Sequence, residues 1–208
     1  MPEYDYRTLQ GSNEGLYKEK GSKFLAFAYP VISELDIKEK INELKKEYYD
    51  ASHHCYAWML GAEKNHFRTF DDGEPSHSAG DPILGQIRSK GITNVLIVVV
   101  RYFGGAKLGI GGLINAYKTA AEDALSKSII VEKELTEEIK LTFDYWITSE
   151  VMVLIKELNV KPREQQFTET CSLKIVYPLK QKEKLLEKLT LMKALGRTIT
   201  WEFQIKAN

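Results

Sequence analysis

Residues 71–125, DDGEPSHSAGDPILGQIRSKGITNVLIVVVRYFGGAKLGIGGLINAYKTAAEDAL, carry the reading that decides the fold. An acidic turn, Asp71-Asp72-Gly73-Glu74, leads toward a short helix beginning at Asp81-Pro82. Pro82 takes the first helical position, where its missing N–H costs nothing, and Gly91 closes the helix as a C-terminal cap. Residues 93–103, TNVLIVVVRYF, give the strongest strand signal of the chain. Their unbroken apolar middle, in place of alternation, predicts burial on both faces. The glycine run 104–112 follows, and then a helix from about Leu113 to Ser126 with Leu113, Ala116, Tyr117, Ala120 and Ala124 on its inner face. Nine of the 14 glycines lie between Gly73 and Gly112, a density that calls for positive φ or close backbone approach.

Outward on the N-terminal side, residues 4–9 and 15–19 read as short strands joined by the turn residues Gly11-Ser12-Asn13. Residues 23–31, KFLAFAYPV, read as a third strand. Ser33 is an N-cap with Asp36 three residues on, in place of the Glu or Gln of a capping box. Leu35, Ile37, Ile41 and Leu44 then keep helical spacing to about Tyr48. Residues 53–60, HHCYAWML, read as a strand whose alternation sets His53, Cys55 and Ala57 on one face and His54, Tyr56 and Trp58 on the other. A turn over 61–66 returns the chain through 67–70.

On the C-terminal side, residues 131–136, VEKELT, are charged and without periodicity, and mark a boundary between domains at 1–134 and 137–208. Beyond it come a strand over 138–146, a helix capped by Ser149 and running to Leu158, strands over 160–170 and 172–178, a helix over 180–195 with Leu185, Leu186, Leu189 and Met192 at helical spacing, and a strand over 197–205 alternating Ile199, Trp201, Phe203 and Ile205. The order βαββαβ is the ferredoxin-like arrangement, so the fold class is α+β.

A chain of 208 residues suits one large or two modest domains with a real core. No apolar run approaches the ~18 residues of a membrane helix, and the first residues lack the basic-then-apolar order of a signal peptide, so no membrane partner and a cytoplasmic location are expected. The formal net charge is zero and neither part of the chain is a basic module, so any nucleic-acid contact has to use a local patch. Cys55 and Cys171 stand far apart with no CxxC, which removes zinc-ribbon and thioredoxin readings and leaves two free cytosolic thiols.

Three constellations can carry chemistry. Between a strand and a helix, the run of Gly104, Gly105, Lys107, Gly109, Gly111 and Gly112 offers unpaired N–H groups and a helix dipole to an anion, with Arg101 and Lys107 adding charge and Tyr102 and Phe103 able to stack on a base. It matches neither GxGxxG nor GxxxxGK[ST], and the same glycines serve tight strand–helix packing equally well. The acidic turn offers carboxylates to a hard cation but lacks the rest of an EF-hand loop, and turn acids ordinarily accept backbone N–H bonds. His53 and Cys55 share a strand face, and with Asp72 or Glu74 they form the outline of a nucleophile or a metal site; the plainer alternative is a buried cysteine beside a hydrogen-bonded histidine. No metal and no cofactor are expected.

At Arg101-Tyr102-Phe103-Gly104-Gly105, with Leu108-Gly109 and Gly111-Gly112-Leu113, the chain resembles the IMPACT family in its bacterial YigZ-like branch. Gly21-Ser22-Lys23-Phe24, residues 51–57 with His53 and Cys55, Asp71-Asp72-Gly73-Glu74-Pro75, and Ala79-Gly80 with Pro82 are similar to its other motifs. The resemblance implies an N-terminal domain like domain 2 of ribosomal protein S5 and a C-terminal domain like domain V of elongation factor G. It implies a translation-associated partner (RNA, the ribosome or a translation factor) and brings no established enzyme activity. The eukaryotic relatives carry an extra RWD domain, for which these 208 residues leave no room. His77-Ser78 stands where the family commonly has Gly-Thr, and Asn115 where a basic residue is common. Two functions follow as expectations: a regulatory binding protein of the translation machinery, or an anion- or nucleotide-binding hydrolase or transferase using the glycine run with His53, Cys55, Asp72 and Glu74.

Overall fold

The computed structural model describes residues 4–204; Ile205, the end of the expected last strand, and residues 1–3 lie outside them. The chain divides into two compact units, one formed by residues 5–133 and the other, in which Tyr4 also counts, by the chain from Glu134 onward.

In the first unit β1 (Asp5–Leu9), β2 (Asn13–Glu19), β3 (Ser22–Pro30), α1 (Glu34–Glu47), β4 (His53–Leu60), β5 (His66–Phe70), α2 (Gly80–Ser89), β6 (Val95–Tyr102), α3 (Gly109–Ser126) and β7 (Ile130–Glu134) follow in sequence. Five strands make an antiparallel sheet in the order β2-β3-β6-β4-β5. The strand with the most continuous apolar run lies at its centre. Every residue from Val95 to Val100 is fully buried, because helices cover both faces. On one face α2 and α3 pack on Phe24, Ala26, Cys55, Ala57, Ile97 and Val99. On the other, Ile37 and Leu44 of α1 pack on Phe27, Trp58, Leu96 and Val98. The alternation expected in β4 is therefore met, with Cys55 and Trp58 in different layers.

The capping box at α1 forms with aspartate in the third place. The Ser33 hydroxyl accepts from Asp36 N at 3.1 Å, and the Asp36 carboxylate accepts from Ser33 N at 3.2 Å. Three expectations are corrected. Residues 4–9 and 15–19 are both strands, but they do not pair with each other: β1 pairs with β7, which overlaps the stretch expected to mark the domain boundary. Its partner lies at the other end of the first unit, and no local pattern announces such pairing. α2 begins at Gly80, so Pro82 is its third residue, where an N–H would still have no intrahelical partner. α3 begins at Gly109, so the last part of the glycine run is helix.

His54 faces the α1 layer and is 7% exposed. Burial lowers its pKa below the ordinary imidazole value; Asp72 pulls it upward and Lys45 downward. Among the described residues its Nε2 has no hydrogen-bond partner. The unfolded chain, with His54 near its usual pKa of ~6.5, therefore takes up the proton first. Stability is complete above that value and is lost as pH falls through it. We expect wild type to lose stability relative to His54→Phe as pH drops from neutral toward 5, in paired urea titrations. A difference between the two that stays constant with pH would contradict a neutral, buried His54.

In the second unit β8 (Thr136–Asp144), α4 (Thr148–Glu157), β9 (Pro162–Gln166), β10 (Thr170–Pro178), α5 (Lys182–Ala194) and β11 (Ile199–Gln204) form an antiparallel sheet in the order β11-β8-β10-β9 with a core of its own. A 3-10 turn over Tyr145–Ile147 precedes α4, so Ser149 lies inside the helix instead of capping it. In α5, Leu185 and Leu189 are buried and Met192 packs at the edge of the core, while Leu186 is half-exposed. Among the described residues no helix is long and apolar enough to cross a membrane.

Candidate functional site

The acidic turn after β5 is shaped by left-handed backbone at Asp72 (φ 45°) and Gly73 (φ 87°). Its three carboxylates do three different things. Asp71 caps α2 from outside the helix: one oxygen accepts from Ala79 N at 3.1 Å and Gly80 N at 2.8 Å, the other from His77 N at 2.9 Å. Asp72 accepts from His54 N at 2.6 Å, and its carbonyl accepts from His53 Nδ1 at 2.7 Å. A carbonyl only accepts, so His53 Nδ1 carries a proton, and its Nε2 lies 3.9 Å from Glu74 Oε1.

Glu74 points inward. Its Oε1 accepts from Arg101 Nη1 at 2.5 Å and from the Tyr117 hydroxyl at 2.7 Å. The ion pair is closed to water, with side chains 6% and 4% exposed. The Arg101 guanidinium lies between the Phe24 and Phe103 rings, at 5.4 and 5.5 Å from their centroids, which adds cation–π attraction in a desolvated place. Cys55 completes the cluster: its thiol donates to the Asp71 carbonyl at 3.0 Å and lies 3.3 Å from the Tyr117 oxygen. Burial pushes the Cys55 thiol up, and burial together with Cys55 and Glu74 pushes the Tyr117 hydroxyl up, so both keep their protons.

At the exit of β6 the chain is pinned by backbone. Gly104 N donates to Ser22 Oγ at 3.0 Å and Phe103 N to Ser52 Oγ at 3.2 Å. A Cβ on Gly104 would fall 1.9 Å from Gly21 C, so these two glycines are a steric requirement. Gly105 and Gly109 have φ of 87° and 74°, and a Cβ on Gly105, Gly109 or Gly111 would meet open space. α3 starts with no side-chain cap and no acid in its first turn. Its first N–H groups thus lack intrahelical partners, at an exposed surface that also carries Lys107 and the half-exposed Phe103.

His53, Cys55, Glu74 and Arg101 are brought together; Asp72 lies beside them with its carboxylate turned to the backbone. Tyr102 does not join them, because strand alternation sends it to the α1 face, where its hydroxyl donates to Asp50 at 2.8 Å. The charge of Arg101 is met by Glu74. Among the described residues no group of three acids, histidines or cysteines is placed to hold a metal. Reading Tyr117 only as part of the inner helix face missed its role in the cluster. The available signal was a hydroxyl on a face otherwise rich in alanine, since a buried tyrosine needs a partner.

The Impact N-terminal domain family model matches residues 20–125, which include every one of these groups. The IMPACT family member YvyE of Bacillus subtilis (strain 168) is 32% identical over 163 residues, 75% of this chain and 75% of that protein. The IMPACT family member YigZ of Escherichia coli (strain K12) is 32% identical over 143 residues, 68% of this chain and 70% of that protein. A crystal structure of a hypothetical protein superposes over 100% of both chains with a TM-score of 0.75 at 24% identity, and shares the fold.

Proposed function

The chain belongs to the IMPACT family, and from that premise we propose that it is a translation-associated regulatory protein that acts by binding, with the exposed run from Gly105 to Gly112 contacting the phosphate backbone of RNA on or near the ribosome. One observation carries the reading: the uncapped N-terminus of the 18-residue α3 opens onto glycines that leave its N–H groups bare. Such N–H groups, at the positive end of the helix dipole, favour an anion. Lys107 adds a charge and Phe103 a ring on which a base can stack. The antiparallel βαββαβ unit, in the order β11-β8-β10-β9, supports a ferredoxin-like second domain in the manner of elongation factor G domain V. The first unit is read as like domain 2 of ribosomal protein S5, with the division at 1–134 and 137–208.

A hydrolase or transferase at His53, Cys55, Asp72 and Glu74 has less support. The Cys55 thiol is buried, the Asp72 carboxylate accepts a backbone N–H, and Glu74 is held by Arg101 and Tyr117. Cys55 and Glu74 are tied to α3 through Tyr117.

The test is sedimentation with ribosomes and with tRNA at low and moderate salt. Wild type is expected in the pellet. The double variant Lys107→Glu with Gly111→Asp is expected to bind roughly tenfold more weakly, since a carboxylate in the first turn competes for the helix end. An acid there favours the helix, so melting should not fall. Absence of wild type from both pellets at both salts would remove the RNA reading.

A further inference from the structure

On the opposite face of the same sheet, α1 and the strands β4 and β5 line a cavity of about 250 Å³. Its floor is Tyr56 and Trp58 of β4 with Arg68 of β5, and its wall is the side of α1 carrying Lys38 and Asn42. The spacing explains the convergence. Trp58 and Arg68 are direct cross-strand partners, so both point to this face, and Lys38 and Asn42 are one turn apart on the helix.

The rings are held in place. His66 packs edge-on against Trp58 at 4.9 Å, and Phe70 lies 5.1 Å from Tyr56. The one carboxylate in the lining, Glu34, is engaged by His66 Nε2 at 3.1 Å. Among the described residues, Lys38 and Arg68 have no carboxylate at ion-pair distance. Two cations and an amide therefore converge over an aromatic floor, and the one carboxylate of the lining is bonded to His66, with neither cation at ion-pair distance from it.

We propose that this pocket binds a small planar organic anion, an aromatic or heteroaromatic ring bearing one carboxylate or phosphate. The acid group pairs with Arg68, whose planar fork suits either oxyanion, and with Lys38; the ring lies on the floor made by Tyr56 and Trp58, and Asn42 offers a hydrogen bond to a ring heteroatom. The site is separate from the glycine run and does not depend on the function proposed there.

The experiment is calorimetric titration of the whole chain with benzoate and adenosine 5′-monophosphate as ring-bearing probes, and with cyclohexanecarboxylate and inorganic phosphate as controls lacking a planar ring. At least one ring-bearing probe is expected to bind in the millimolar range or tighter, with both controls about tenfold weaker. Arg68→Glu and Lys38→Glu, both at exposed positions, should each weaken that probe by about tenfold or more without lowering the melting temperature, and Lys107→Glu should leave it unchanged. Failure of both ring-bearing probes to bind, equal binding of the controls, or indifference to Arg68→Glu and Lys38→Glu overturns the proposal.

Discussion

Glu74→Ala is expected to destabilise the first unit by about 3–5 kcal/mol, the range for removing one partner of a buried ion pair. The Arg101 guanidinium would stay between the Phe24 and Phe103 rings with no carboxylate to meet it, and among the described residues its Nε already has no partner. The Tyr117 hydroxyl would lose its acceptor in the same step. Such a loss is a large share of the ~5–15 kcal/mol that holds a domain folded. Urea unfolding followed at the Trp58 indole resonance reads this unit, because Trp201 packs against the core of the other and Trp146 lies in the turn that precedes α4. Arg101→Met added to Glu74→Ala should recover part of the loss, since no buried charge then remains. A Glu74→Ala loss below ~1 kcal/mol, the scale of an exposed pair, would show that water reaches the pair.

Gly104→Ala is expected to be at least as damaging, above ~4 kcal/mol, in the range reserved for strain that the structure cannot relax. The added methyl carbon would fall 1.9 Å from Gly21 C and 2.1 Å from Ser22 N. Both are backbone atoms of the β2–β3 turn, so no side chain can rotate away. The turn and the loop would have to separate, and the Gly104 N–H bond to Ser22 would go with them. Gly111→Ala is the control: its Cβ meets nothing, and alanine in a helix gains up to ~1 kcal/mol over glycine. Thermal melts of the two variants side by side decide the matter. If Gly104→Ala melts with wild type, the close approach of the two glycines does not exist in solution.

What could be read in advance follows from the range of each signal. The central β6 and the two-faced β4 were legible because their patterns are complete within eight residues. The start of α2 was not, because its cap is Asp71, nine residues before Gly80, and local rules look for a cap next to the helix. The pairing of β1 with β7 was hidden for the same reason, at greater distance. Composition pointed to the residues of the site, but their roles depended on pairings that alternation cannot supply. Arg101 was read as a charge available to a ligand, and its partner Glu74 lies 27 residues away. The glycine run was read as one loop; in the structure Gly104 is locked by packing, Gly105 turns the chain, and Gly109 onward belongs to a helix.

The internal neutralisation of Arg101 by Glu74 also bears on how an RNA contact would respond to ions. Residues 104–112 contain a single charged side chain, Lys107. Backbone N–H groups hold a phosphate without displacing condensed counterions in the manner of lysine and arginine. Binding through the run would therefore release about one counterion, giving a logarithmic salt slope near −0.7 on a single strand. A broad basic patch would give a slope several times steeper.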